Sequence, residues 1–221
     1  MTFIERPRKK LGAMHAIRFQ LECVKHYTLG LERIADRSSD FDAWIERERA
    51  EIVKSGMRKN YELRFADKDH PNLYREDNRS DNRVMEHAVP ISHWYALYST
   101  APSDLRSAIF FMGWAGPVAN ITKSSDRFFK GTGEVRFNKS IWTPFDRYRR
   151  AGFDVVQDHP GASTAGMTLG DHYARLDTID FMRPIMAMVR QELNFDEALT
   201  WVKTTQTIVD SVREMAERKV A

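Results

Sequence analysis

Val84-Met85-Glu86-His87-Ala88-Val89-Pro90 is the stretch around which the rest of this chain arranges itself. It is short, apolar at most positions and closed by a proline, which predicts a strand rather than a helix. Successive side chains of a strand point to opposite faces, so Glu86 and His87 are expected back to back. Val118-Ala119-Asn120-Ile121-Thr122 predicts a second short strand. Ser124 or Ser125 then starts a helical turn carrying Asp126, Arg127 and Phe128, and Gly131 and Gly133 stop it. Strand, strand and helix make a small ββα unit. The 27 residues between its strands, Ile91 to Pro117, predict two more helices. Ser92 caps the first, through Trp94, Leu97 and Tyr98. Ser103 caps the second, through Leu105, Ala108, Ile109 and Met112, and Gly113, Gly116 and Pro117 end it.

Helices are expected on both sides of this unit. Met14, Ile17, Leu21, Val24, Leu31 and Ile34 recur at three- and four-residue steps and predict a helix over 12–36. A second helix runs from about Phe41 to Val53, stopped by Gly56, giving a helical hairpin. Residues 66–83, rich in Asp, Asn and Arg, read as an exposed loop. Trp142 to Phe153 reads as a short helix begun near Pro144 and closed by Gly152, and 159–166 as a linker. Two further helices follow, near Thr178–Leu193 and Asp196–Lys219. The expected fold class is α+β, mainly α, with the ββα unit embedded between helical N- and C-terminal segments. The divisions are 1–75 (helical hairpin), 76–158 (central ββα unit with helical insertion) and 159–221 (C-terminal helices).

Composition narrows the function classes. Of 221 residues, 42% are apolar, enough to build a core without staples and too many for a disordered chain. No apolar run approaches the roughly 18–20 residues a spanning helix needs, so no membrane partner is expected. One cysteine, Cys23, excludes an internal disulfide and a Cys-based zinc cage, and reads as a core residue on the first helix. No secretory-type apolar stretch follows the basic N-terminal residues, so the expected location is cytoplasmic. The chain nets +3, yet 121–153 nets +5 while 154–221 nets −4. In the basic stretch Lys123, Arg127, Arg147, Arg149 and Arg150 alternate with Phe128, Phe129, Trp142 and Tyr148. Cations among aromatics suit a phosphate backbone and its bases, so nucleic acid is a candidate partner. Composition alone favours a solvated basic face over a packed aromatic core.

An acid followed by a histidine at a strand end is one way to build a one-metal nuclease site. The carboxylate of Glu86 takes a divalent cation and His87, on the other face, deprotonates a water. Asp126, just after the second strand, is the natural second ligand. Glu86-His87-x-x-Pro90 resembles the Asp-His-x-x-Pro core of HNH (His-Me finger) endonucleases. Val118-Ala119-Asn120-Ile121-Thr122-Lys123-Ser124-Ser125-Asp126 and Arg147-Tyr148-Arg149-Arg150-Ala151-Gly152 are similar to later segments of a small HNH-like branch. The resemblance covers roughly residues 82–156. It implies a DNase that uses Mg²⁺, Mn²⁺ or Zn²⁺, with Glu86 and Asp126 on the metal, His87 as general base and Asn120 orienting it. Lys123, Arg127, Arg147, Arg149 and Arg150 would hold the nucleic acid. The chain departs from that pattern with Glu for Asp before the histidine, with Asp126 where His or Asn is usual, and with the long insertion.

Other readings stay open. His87 can be a half-buried histidine satisfied by a carbonyl, and Asp126 an acid in a helix's first turn. His93 is a third ligand or a surface residue. Asp158-His159 and Asp171-His172 repeat the acid–histidine pairing. The terminal helices can support the central unit or pair with a second copy as a homodimer. A non-catalytic helical binding or assembly protein, of phage or mobile-element type, is the alternative to the endonuclease.

Overall fold

The computed structural model describes residues 17–19, 21–27, 30, 39–59, 73–77, 82–131, 141–157 and 161–205. Seven helices are defined within them: α1 (Ser39–Arg58), α2 (Ile91–Thr100), α3 (Arg106–Trp114), α4 (Lys123–Gly131), α5 (Asp146–Arg150), α6 (Leu169–Asp177) and α7 (Arg183–Glu192). Residues 21–27 and 195–205 are also helical. Four short strands, β1 (Tyr74–Glu76), β2 (Arg83–His87), β3 (Val118–Thr122) and β4 (Val155–Gln157), form one sheet in the order β2-β3-β1-β4. The fold is α+β and mainly α. Among the described residues no helix is long and apolar enough to cross a membrane.

The ββα unit is present. β2 and β3 pair antiparallel, with Glu86 opposite Ala119 and His87 opposite Val118, and α4 follows β3 without a gap. Thr122 caps that helix: its Oγ1 accepts from the Ser125 N–H at 3.1 Å. The insertion forms α2 and α3, as its apolar spacing predicts, but Pro90 and Leu105, with no side-chain cap, rather than the expected Ser92 and Ser103, stand at their N-caps. It is the centre of the main core, not an ornament on the sheet. Trp94, Phe110, Phe111 and Trp114 are fully buried there, beside Ile17 and Leu21 from the N-terminal segment and Ile185 and Val202 from the C-terminal one.

Four expectations change. The loop expected over 66–83 contains β1, the strand that lies between β3 and β4. Three residues are too few to show a period, and Asp and Asn on both sides mask them. The linker expected at 159–166 is, over its described part, folded onto β4. Gln157 N–H donates to Ala162 O at 2.8 Å, and the buried Thr164 hydroxyl donates to Val155 O at 2.6 Å. Cys23 is exposed, on a helix that turns Ile17, Leu21 and Val24 inward. Gly56 does not end its helix, which continues to Arg58.

What Gly56 does is admit a neighbour. A Cβ at this position would lie 2.7 Å from the Phe110 ring, and one at Gly113 would lie 2.8 Å from the Met57 sulfur. The two glycines let α1 and α3 approach closely, each receiving a side chain from the other helix. Gly170 is different, with only ordinary contacts around it. The helix expected over 196–219 is described to residue 205, and its remainder lies outside the described residues.

A buried polar chain ties the sheet to the helices. The Tyr74 hydroxyl lies 2.9 Å from His172 Nδ1, and His172 Nε2 lies 2.8 Å from Ala115 O at the end of α3. A carbonyl can only accept, so Nε2 carries the proton and Nδ1 accepts from the tyrosine. Burial pushes the imidazole down to about 4, against the pull of the Ala115 carbonyl. This histidine is satisfied by the protein itself. Its neighbour Asp171 closes a capping box with Thr168, so this acid–histidine pair is structural. Asp158 and His159 lie outside the described residues.

Two predictions follow from this packing. Gly to Ala inside a helix ordinarily stabilises by up to about 1 kcal/mol. Here Gly56→Ala should destabilise by roughly 1–3 kcal/mol, because the methyl group meets a fully buried ring, as urea denaturation would measure. His172 is neutral in the fold and titrates near 6.5 in the unfolded chain. Its contribution is therefore complete above about pH 6.5 and lost as pH falls towards 4. Urea midpoints taken between pH 7.5 and 4.5 should fall with pH, and His172→Gln should flatten that slope.

Candidate functional site

The site candidate sits where β2 ends and α4 and α5 meet the sheet. One face of β2 and β3 carries Val84, Glu86 and Ala88 with Ala119 and Ile121. It packs on Phe145, Tyr148 and Ala151 in and beside α5, forming a small second core. α5 is closed by Gly152, at φ +87°, as the sequence predicts. Its position brings one side chain, Arg147, under the end of β2.

Arg147 is fully buried. Its Nη1 donates to the carbonyls of His87 and Ala88, each at 3.1 Å, and its Nη2 lies 3.4 Å from Glu86 Oε1. One planar guanidinium thus holds the turn after β2 and the acid before it, a fork geometry that lysine cannot supply. This corrects the expectation that Arg147 holds nucleic acid, because a buried guanidinium spent on carbonyls does not meet a phosphate backbone. The five-residue α5 gives no long periodic pattern from which its inner face can be read. Arg149 and Arg150 are exposed, as are Lys123 and Arg127 on α4.

Burial raises the Tyr148 hydroxyl far above its ordinary pKa. Arg147 opposes that shift, and the carboxylates of Glu86 and Asp126 both add to it. Asp126 stands in the first turn of α4, on its half-buried side. Two carboxylates are oxygen donors of the kind Mg²⁺ takes, with water and a substrate phosphate completing the set. Among the described residues no group of three or more His, Cys, Asp or Glu side chains is placed to hold a metal ion. The ion pair of Glu86 with Arg147 sets the condition for any cation here, which has to share that carboxylate with a guanidinium.

His87 is on the other face, with Met85, Asn120 and Val118. Burial, then Arg58 and Arg147, push its imidazole down to about 4, so it is neutral at ordinary pH. Its Nε2 is buried and makes no hydrogen bond. The Asn120 amide therefore does not hold that nitrogen, although register places it diagonally across from His87. His93, in the first turn of α2, is half-buried, with its Nδ1 likewise buried and without a hydrogen bond. Burial and Arg147 push its pKa down. Among the described residues it belongs to no cluster of three possible metal ligands.

Glu76 is the residue that sequence reading missed. It is buried at the end of β1. Its Oε2 accepts from the Thr122 N–H at 2.6 Å and its Oε1 from the Ser125 hydroxyl at 2.8 Å. A carboxylate at a helix N-terminus is favoured by the unpaired N–H groups there. Glu76 thereby fixes where α4, and Asp126 with it, begins. Its sequence neighbourhood reads as a loop, and nothing in it announces a partner 46 residues away.

In comparisons with known proteins, no family model, no curated protein and no solved structure matches the chain.

The three α5 arginines should separate cleanly in urea denaturation. Arg147→Ala leaves Glu86 and two carbonyls without their donor and should cost on the order of 3 kcal/mol. Arg149→Ala and Arg150→Ala should stay within about 0.5 kcal/mol of the parent protein.

Proposed function

We propose that this protein is a divalent-metal-dependent endonuclease of the ββα type, acting on the phosphodiester bonds of DNA. The observation that supports the reading is the ββα unit itself, in which β2 carries Glu86 and His87 on opposite faces and α4, directly after β3, carries Asp126 in its first turn. Glu86 and Asp126 would hold the cation, with Mg²⁺ or Mn²⁺ better suited than Zn²⁺ to an all-oxygen set. When bound, the cation supplies Lewis-acid charge to the phosphate. His87 would take the proton of the attacking water at Nε2, a buried nitrogen without a hydrogen bond, which the reading requires substrate binding to open to that water. The imidazole is already neutral. An approaching phosphate counters Arg58 and Arg147 and raises its proton affinity. Lys123, Arg127, Arg149 and Arg150, all exposed, hold the backbone. A cytoplasmic location suits a chain whose one cysteine is exposed and unpaired.

A second reading has its own observation. Arg147 already neutralises Glu86, and the causes that shift His87 are burial and two cations, with no carboxylate among them. That is also how a non-catalytic ββα unit would be held, with residues 83–90 serving as packing and the basic surface as a binding face.

A plasmid-nicking assay decides between them. The endonuclease reading expects nicking with Mg²⁺ or Mn²⁺, its abolition by EDTA, and a loss of at least about 100-fold in His87→Ala, the scale of general-base catalysis. Equal activity in His87→Ala and the parent protein removes the mechanism. Binding of DNA without nicking under any of these metals favours the second reading.

A further inference from the structure

From the exposed face of α4, we infer that this protein binds an unpaired nucleic-acid strand, stacking one base on Phe128. The inference rests on the nucleic-acid reading above and names the form of the substrate. α4 is held by its inner side, where Ser125 donates to Glu76 and Asp126 is half-buried. Residues advance about 100° each around a helix, which leaves Lys123, Ser124, Arg127 and Phe128 on one outward face. All four are exposed, Phe128 by 56%.

A single exposed aromatic residue is ordinary on a protein surface, and it is the setting of Phe128 that points to a ligand. A protein or lipid partner calls for a contiguous apolar patch. Among the described residues of this face, Phe128 stands alone between two cations and a serine. The face lies in the stretch netting +5, and Arg149 and Arg150 are exposed on α5. An aromatic ring among cations matches the two chemistries of a single strand, a base with a bare π-face and a phosphate on each side of it. A duplex hides its base faces in the stack, so a ring standing on a helix surface has nothing to stack against there. Cations alone would bind duplex and single strand by charge. The ring is what discriminates between them.

Fluorescence anisotropy with a labelled 12-nucleotide oligo-dT, and with a 12-base-pair duplex, tests this in EDTA, so that no cleavage or metal enters the measurement. The single strand should bind more tightly than the duplex. Phe128→Ala should weaken it by roughly 5- to 100-fold with little change in salt dependence. Phe128→Trp should retain the affinity. Lys123→Ala and Arg127→Ala should each lower the salt slope by about 0.7. Unchanged single-strand affinity in Phe128→Ala, tighter binding of the duplex, or no binding of either oligonucleotide overturns the inference. Phe128-dependent binding by a protein that, with Mg²⁺ or Mn²⁺, cleaves neither plasmid nor the single-stranded oligonucleotide would sink the nuclease reading and leave this one standing. Nicking by a protein whose single-strand affinity ignores Phe128 would do the reverse.

Discussion

A buried guanidinium carries a permanent charge, and the protein has to surround it with acceptors or lose several kcal/mol. The two Nη groups of Arg147 meet part of that demand at the end of β2, with two main-chain carbonyls and the Glu86 carboxylate. The consequences spread outward from there. The turn from β2 into α2 is pinned by its own carbonyls, so the helical insertion leaves the sheet in a defined direction. Glu86 is held towards α5. The same positive charge helps keep the imidazoles of His87 and His93 neutral on the other side of the strand.

Glu76 plays the complementary part with a negative charge. A carboxylate buried at the start of α4 joins β1 to the helix that carries Asp126. The candidate site is thus framed by one buried cation and one buried anion, neither of which has to touch a substrate. Burial keeps the Tyr148 hydroxyl protonated.

The insertion between the strands also changes the view of the molecule. Its two helices bury four large aromatic rings and take packing from segments at both ends of the chain. The ββα unit is therefore mounted on the main core through the very residues that interrupt it. The α1–α3 crossing depends on two glycines whose missing side chains admit Phe110 and Met57.

Much of this was legible in the sequence, and the boundary has a physical form. Periodicity and turn glycines are local, so the β2 and β3 strands, the insertion helices, α5 with its Gly152 stop, and the back-to-back placement of Glu86 and His87 could all be read from spacing. So could the mainly helical class and the basic stretch with its aromatic residues. What spacing does not contain is which charges end up inside. Arg147 looks like Arg149 and Arg150 in a run of cations, yet one is buried and two are exposed, because α5 turns only one of them under β2. Glu76 sits in a run of acids and amides, and its role exists only once β1 lies beside β3 and brings it to the start of α4. Gly56 reads as a stop signal until a ring from another helix rests on it. The local pattern determined the pieces; long-range pairing decided which side chains became partners, since burial and hydrogen bonding are properties of neighbours in space.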